Sequence, residues 1–109
     1  MEPQPLPMAL DGCGLDEAGR RAQAARYAQL GGLAASLDRS ELGLTVTFAA
    51  SPDAALLATT LAVERECCSF LALDYDPEAL RLRVGVEDPS DRPVLDLIER
   101  ALRSASPQA

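Results

Sequence analysis

Residues 44–75 read LTVTFAASPDAALLATTLAVERECCSFLALDY, and this stretch decides the fold. Together with Leu42, the residues Leu44, Val46 and Phe48 alternate with Gly43, Thr45 and Thr47, the period of a half-buried strand with threonine on its outer face. Ser51, Pro52 and Asp53 then supply an N-cap, an N1 proline and an early acid, which predicts a helix running to about Cys68. Leu56, Thr60, Val63 and Cys67 form one line of its apolar stripe, and Leu57, Leu61 and Cys68 form the neighbouring line. Both cysteines thereby close the stripe at its C-terminal end. A strand follows from Phe70 to Asp74 or Tyr75, a turn at Asp76-Pro77-Glu78, and a return strand in which Leu80, Leu82, Val84 and Val86 alternate with outward Arg81, Arg83 and Glu87.

Upstream, residues 16 to about 37 favour one helix, with Asp16 and Glu17 at its positive end and Ala18, Ala22, Ala25, Leu33 and Leu37 near helical spacing. Gly31 and Gly32 cost about 1 kcal/mol each inside a helix, so the last turns are expected to bend or fray there. Residues 40–43 make a turn. Downstream, Asp88 and Pro89 end the hairpin, Ser90 or Asp91 caps a last helix, and Val94, Leu95, Ile98, Ala101 and Leu102 form its apolar face. The order is α-β-α-β-β-α. It predicts an α+β domain: a three-stranded mixed sheet with helices on one face and a right-handed parallel crossover through the second helix. The domain is expected over residues 13–103, flanked by a disordered Pro-rich tail at 1–12 and a second disordered tail at 104–109. So small a sheet leaves open edges, which suit a homodimer.

The chain has 109 residues, 48% of them hydrophobic, which is room for one domain with a modest core. Ten basic against seventeen acidic residues give a net charge of −7 and a pI near 4.4. Neither nucleic acid nor an anionic membrane surface is an expected partner. The leading MEPQPLPMALDG carries an acid and three prolines where a secretory signal needs a basic start and an unbroken apolar run. The apolar run at 54–63 is also too short to span a bilayer, which takes roughly 20 residues. The expected compartment is the cytoplasm.

The chain contains no histidine, and all ten basic residues are arginine. The commonest general base and metal ligand is therefore absent, and a binding role is expected rather than a catalytic one. What remains for chemistry is Cys13, Cys67 and Cys68. In a reducing compartment three cysteines do not make a disulfide framework. One reading is structural: cysteine is among the most buried residue types, and the pair finishes an apolar stripe, as in a non-catalytic interaction or dimerisation module. The other is ligation of a soft ion. Cys13 precedes a helix N-terminus, which favours a thiolate, whereas Cys67 and Cys68 stand at a helix C-terminus near Glu64 and Glu66, with only Arg65 in opposition. No histidine or lysine activates them as nucleophiles. A bound soft cation supplies that missing charge itself, and thiolates select Cu(I), Hg(II), As(III) or Zn(II) over hard ions. Zinc fits less well, because a structural site wants four ligands. Thiol redox chemistry is the third reading, weakened because Cys-Cys is not the C-x-x-C spacing. The acids Asp74, Asp76 and Glu78 lack the glycine and distal glutamate of a calcium loop and read as a solvated turn.

Cys13-Gly14-Leu15 and Glu64-Arg65-Glu66-Cys67-Cys68-Ser69-Phe70 carry a resemblance. The chain resembles a largely uncharacterised family of small bacterial proteins in which a Cys-x-Leu opens the first helix and an E-x-E-C-C-P-F segment follows an Ala/Leu-rich helix. The likeness covers roughly residues 11 to 103. Ser69 departs from the family's proline, which loosens the helix stop and leaves all three thiols in place. The resemblance implies an association with soft-metal resistance, to mercury or arsenic above all. It implies Cys13, Cys67 and Cys68 as the metal ligands, with Glu66 as their neighbour. If the ion is handed on, the expected partner is a metal-handling protein.

Overall fold

The computed structural model describes residues 16–104. The tail expected at 1–12, the ligand position Cys13 and residues 105–109 lie outside the described residues. Helix α1 spans Glu17–Gly31, opened by Asp16, whose carboxylate accepts the Gly19 N–H at 2.7 Å. Strands β1 (Ala34–Arg39) and β2 (Gly43–Phe48) form a hairpin, then come helix α2 (Ala54–Cys67), strands β3 (Ala72–Asp76) and β4 (Arg81–Gly85), and helix α3 (Arg92–Arg103).

The first helix is therefore shorter than its composition suggests, and residues 34–39 are a strand. Alanine, serine and leucine carry helix propensity there, yet pairing overrides it. Leu37 stands opposite Val46 and Asp38 opposite Thr45, so β1 satisfies its backbone on β2 and lays Leu37 against the core. Gly32 is the C-cap of α1, donating its N–H to the Ala28 and Leu30 carbonyls. The buried face of α1 also differs from the alanine line: Gln23, Tyr27 and Leu30 are buried, while Ala18, Ala22 and Ala25 are exposed.

The sheet has four strands in the order β1-β2-β4-β3, and every neighbouring pair is antiparallel. This corrects the expected three-stranded mixed sheet and the α-β-α-β-β-α order. β2 and β3 do run in the same direction, since both are antiparallel to β4, but β4 lies between them. The placement follows from side chains. Leu82 and Val84 of β4 are fully buried and demand a central position, whereas β3 carries Asp74 and Asp76 and suits an edge.

One face of the sheet is covered. Leu44, Val46 and Phe48 of β2 and Leu82 and Val84 of β4 point into a core shared with Tyr27 and Leu30 of α1, Leu57 and Leu61 of α2, and Val94, Leu95, Ile98 and Leu102 of α3. The other face holds cross-strand rows in which Thr45 and Thr47 stand opposite Arg83 and Arg81, which in turn face Asp74 and Asp76. Such rows of threonine and opposite charges tolerate water.

Local chemistry sets the ends of the elements. Asp53, one residue earlier in α2 than the helix body and two later than Ser51, is the cap: its carboxylate accepts the Leu56 N–H at 2.8 Å. Asp88 caps a single 3₁₀ turn, Pro89–Asp91, and the Ser90 N–H that it accepts holds its carboxyl below the usual range. Asp91 occupies the N-cap position of α3 without a side-chain bond. Arg39 joins β1 to α3 through Asp96 at 2.7 Å and Glu99 at 3.0 Å, and the Asp96 hydrogen bond raises its pKa further above the ordinary arginine value. No helix among the described residues is long and apolar enough to cross a membrane.

Candidate functional site

Helix α2 packs on the sheet through a stripe that repeats at i, i+3 or i+4, and i+7. Leu57, Thr60, Leu61 and Glu64 are buried along it, and Cys68, the C-cap residue, continues the line. Of the two cysteines only Cys68 closes the stripe, at 2% exposure. Cys67 is half-buried and packs against the core from the side. The Cys68 N–H donates to the Glu64 carbonyl at 2.7 Å, which holds the cysteine in register with the last turn.

A carboxylate on an apolar stripe requires a partner, and α1 supplies it. Glu64 is 4% exposed, and Gln23 of α1 donates one amide N–H to Glu64 Oε1 at 2.8 Å and the other to the Thr60 carbonyl at 2.9 Å. The Gln23 carbonyl in turn accepts from Arg26 at 2.7 Å. Thr60 returns its own hydroxyl to the Leu56 carbonyl. The Gln23 amide is thus bonded through both its nitrogen and its oxygen.

Gln23 and Glu64 of this cluster lie at the floor of a groove of about 530 Å³. Its walls are apolar, made by Ala24 and Tyr27 of α1 and by Val94, Leu97, Ile98 and Ala101 of α3; Glu64 and Cys68 lie at the α2 side, and Arg20, Arg21 and Arg100 line it as well. Arg21 is paired with Glu17 one turn away at 3.1 Å. Gln23 lies beside the Thr60–Glu64 turn, and Cys68, one turn later in α2, shares the groove with Glu17 and Arg20, earlier in α1. Gln23, near the middle of α1, therefore meets the last turns of α2.

Of the three expected ligands, Cys67 and Cys68 stand at the end of α2, with Cys68 lining the groove, and Cys13 lies outside the described residues. Among the described residues no group of three or more His, Cys, Asp or Glu side chains is close enough to hold a metal ion. Glu66, the other neighbour of the pair, is exposed and points away from the stripe. The buried polar pair Gln23–Glu64 is not among the candidate residues that the sequence pattern singles out. Its signal was present: Gln23, Tyr27 and Leu30 keep i, i+4, i+7 spacing, and Glu64 falls on the same stripe as Leu57, Leu61 and Cys68.

Fold and site together define an antiparallel α+β domain with a thiol and a buried carboxylate at the floor of an apolar groove. No protein-family model, no curated protein and no solved structure matches this chain.

Proposed function

We propose that this protein binds a soft metal or metalloid ion in the cytoplasm, Hg(II), As(III), Cu(I) or Zn(II), through the thiolates of Cys13, Cys67 and Cys68, for sequestration or transfer to a partner. The observation that supports the reading is the adjacent thiol pair at the C-terminal end of α2, with Cys68 lining the groove. Cys67 and Cys68 stand at that end of α2, and Cys13 precedes the Asp16 cap by three residues. Histidine is absent and the helix C-terminus disfavours an unaided thiolate, so the soft ion supplies the positive charge that deprotonates the sulfurs.

Native mass spectrometry with Hg(II), Cu(I) and Zn(II) tests it. One ion per chain is expected, with weaker retention in the Cys13→Ser, Cys67→Ser and Cys68→Ser variants; no ion, or retention indifferent to all three changes, refutes the proposal. The burial of Cys68 in the core favours a second reading, an interaction module in which the cysteines only pack. A Cys68→Val variant that keeps stability within about 1 kcal/mol and loses ion binding tells against that alternative.

A further inference from the structure

Ion binding makes no use of the α3 side of the groove, where an apolar wall ends in a guanidinium. Leu97, Arg100, Ala101 and Ser104 recur at i, i+3, i+4 and i+7, so they share one stripe of the helix, and all four line the groove. Leu97 is 38% exposed, one of two large apolar side chains left so open among the described residues. Tyr27 faces the stripe from α1, and the volume of about 530 Å³ falls in the range of small-molecule sites. The other two arginines of α3 have carboxylate partners, Arg92 with Glu41 at 3.0 Å and Arg103 with Glu99 at 2.9 Å. Arg100 has none among the described residues, although the chain holds seventeen acids to ten bases. The two acids that line the groove are engaged elsewhere, Glu17 by Arg21 at 3.1 Å and Glu64 by the Gln23 amide at 2.8 Å. A guanidinium matches a planar carboxylate through two parallel N–H···O bonds, and one guanidinium balances one negative charge.

We propose that the groove between α1 and α3 binds a small amphiphilic monocarboxylate of the medium-chain fatty-acid type, with its tail over Leu97, Ile98 and Tyr27 and its carboxylate on Arg100. This goes beyond the soft-ion reading and does not depend on it: no thiol takes part, and no covalent bond is made or broken. Covering the exposed Leu97 and its apolar neighbours supplies most of the affinity. Arg100 sets the sign of the head group, because a cationic head of the same length gains the tail contact and meets a like charge.

The test is calorimetric titration of the full-length protein with decanoate, decylammonium and acetate, each below its micellar concentration. One decanoate per chain is expected, held about tenfold more tightly than decylammonium, with no detectable binding of acetate. Arg100→Gln is expected to lower decanoate affinity about tenfold and to leave decylammonium affinity no weaker. Leu97→Gln is expected to weaken both by the same factor, since it touches only the tail. Both positions are exposed, so the thermal midpoint of either variant is expected to hold. No decanoate binding, an equal or greater affinity for decylammonium, or an affinity indifferent to Arg100→Gln overturns the inference. Several decanoates per chain would mean surface adsorption and overturn it as well. So does an affinity that fades as protein concentration rises, which assigns the groove to a second copy of the chain. Ion retention by the cysteines is read in a separate experiment, so failure here leaves the soft-ion reading standing, and the reverse also holds.

Discussion

Helix α1 meets its two helical neighbours by opposite means. Toward α3 the contact is apolar and, at one point, as close as backbone allows: a Cβ placed on Gly31 would lie 1.9 Å from the Leu102 carbonyl oxygen. Toward α2 the contact is made by Gln23, Thr60 and Glu64, a buried hydrogen-bonded cluster. The apolar seam gains from any arrangement that excludes water, and the missing side chain at Gly31 makes it tight. The polar seam gains only when every bond is made, since an orphaned buried carboxylate costs more than the bond contributes. The tight seam fixes where α1 lies. The polar seam fixes how it is rotated, and so what lines the groove.

The sharpest way to break this comparison is Gly31→Ala. Helix propensity alone promises a gain of about 1 kcal/mol. The approach of Leu102 predicts instead a loss of about 3 kcal/mol by urea unfolding, because the obstacle is backbone and the last turn of α3 must shift. A stabilised variant would mean that the seam is loose.

The polar seam is probed next. Gln23→Leu leaves the Glu64 carboxylate buried without its amide and is expected to cost about 2 kcal/mol. The double variant Gln23→Leu, Glu64→Leu is expected to recover most of that loss, with the coupling read from a double-mutant cycle. Additive losses would show that the pair acts as two independent contacts.

The smallest effect sharpens the contrast between buried and exposed polar bonds. Arg39 bridges β1 to Asp96 and Glu99 of α3 at the surface, where the carboxylates hold its pKa up and keep it charged throughout the working pH range. Arg39→Met is expected to cost about 1 kcal/mol at low salt and less at high ionic strength. A loss insensitive to salt would place this bridge with the buried cluster.

Much of the fold is legible in residues whose pattern is strong. The β3–β4 hairpin follows from the alternation of Leu80, Leu82, Val84 and Val86 and from Asp76, whose carboxylate accepts the Glu78 and Ala79 N–H groups in the turn. The buried face of α3 follows from Val94, Leu95, Ile98 and Leu102. β1 is hard to see because an edge strand needs few apolar residues, and Ala34, Ala35, Ser36 and Leu37 read equally well as the end of a helix. The site was legible as a Cys67–Cys68 pair at a helix end. Its floor was not, because a buried glutamine and glutamate look like surface residues until their partners are seen.

The sequence by itself determined what needs only neighbours along the chain: α2 ending in two cysteines, the hairpin that follows, and an acidic domain without histidine. Tertiary structure alone decided which strand stands between β2 and β3, which face of α1 is buried, and that Glu64 and Cys68 share an apolar groove with α3. The physical reason is that strand order and helix rotation are chosen by competition among contacts far apart in sequence. Local pattern says which residues prefer burial, and only the packed whole says against what.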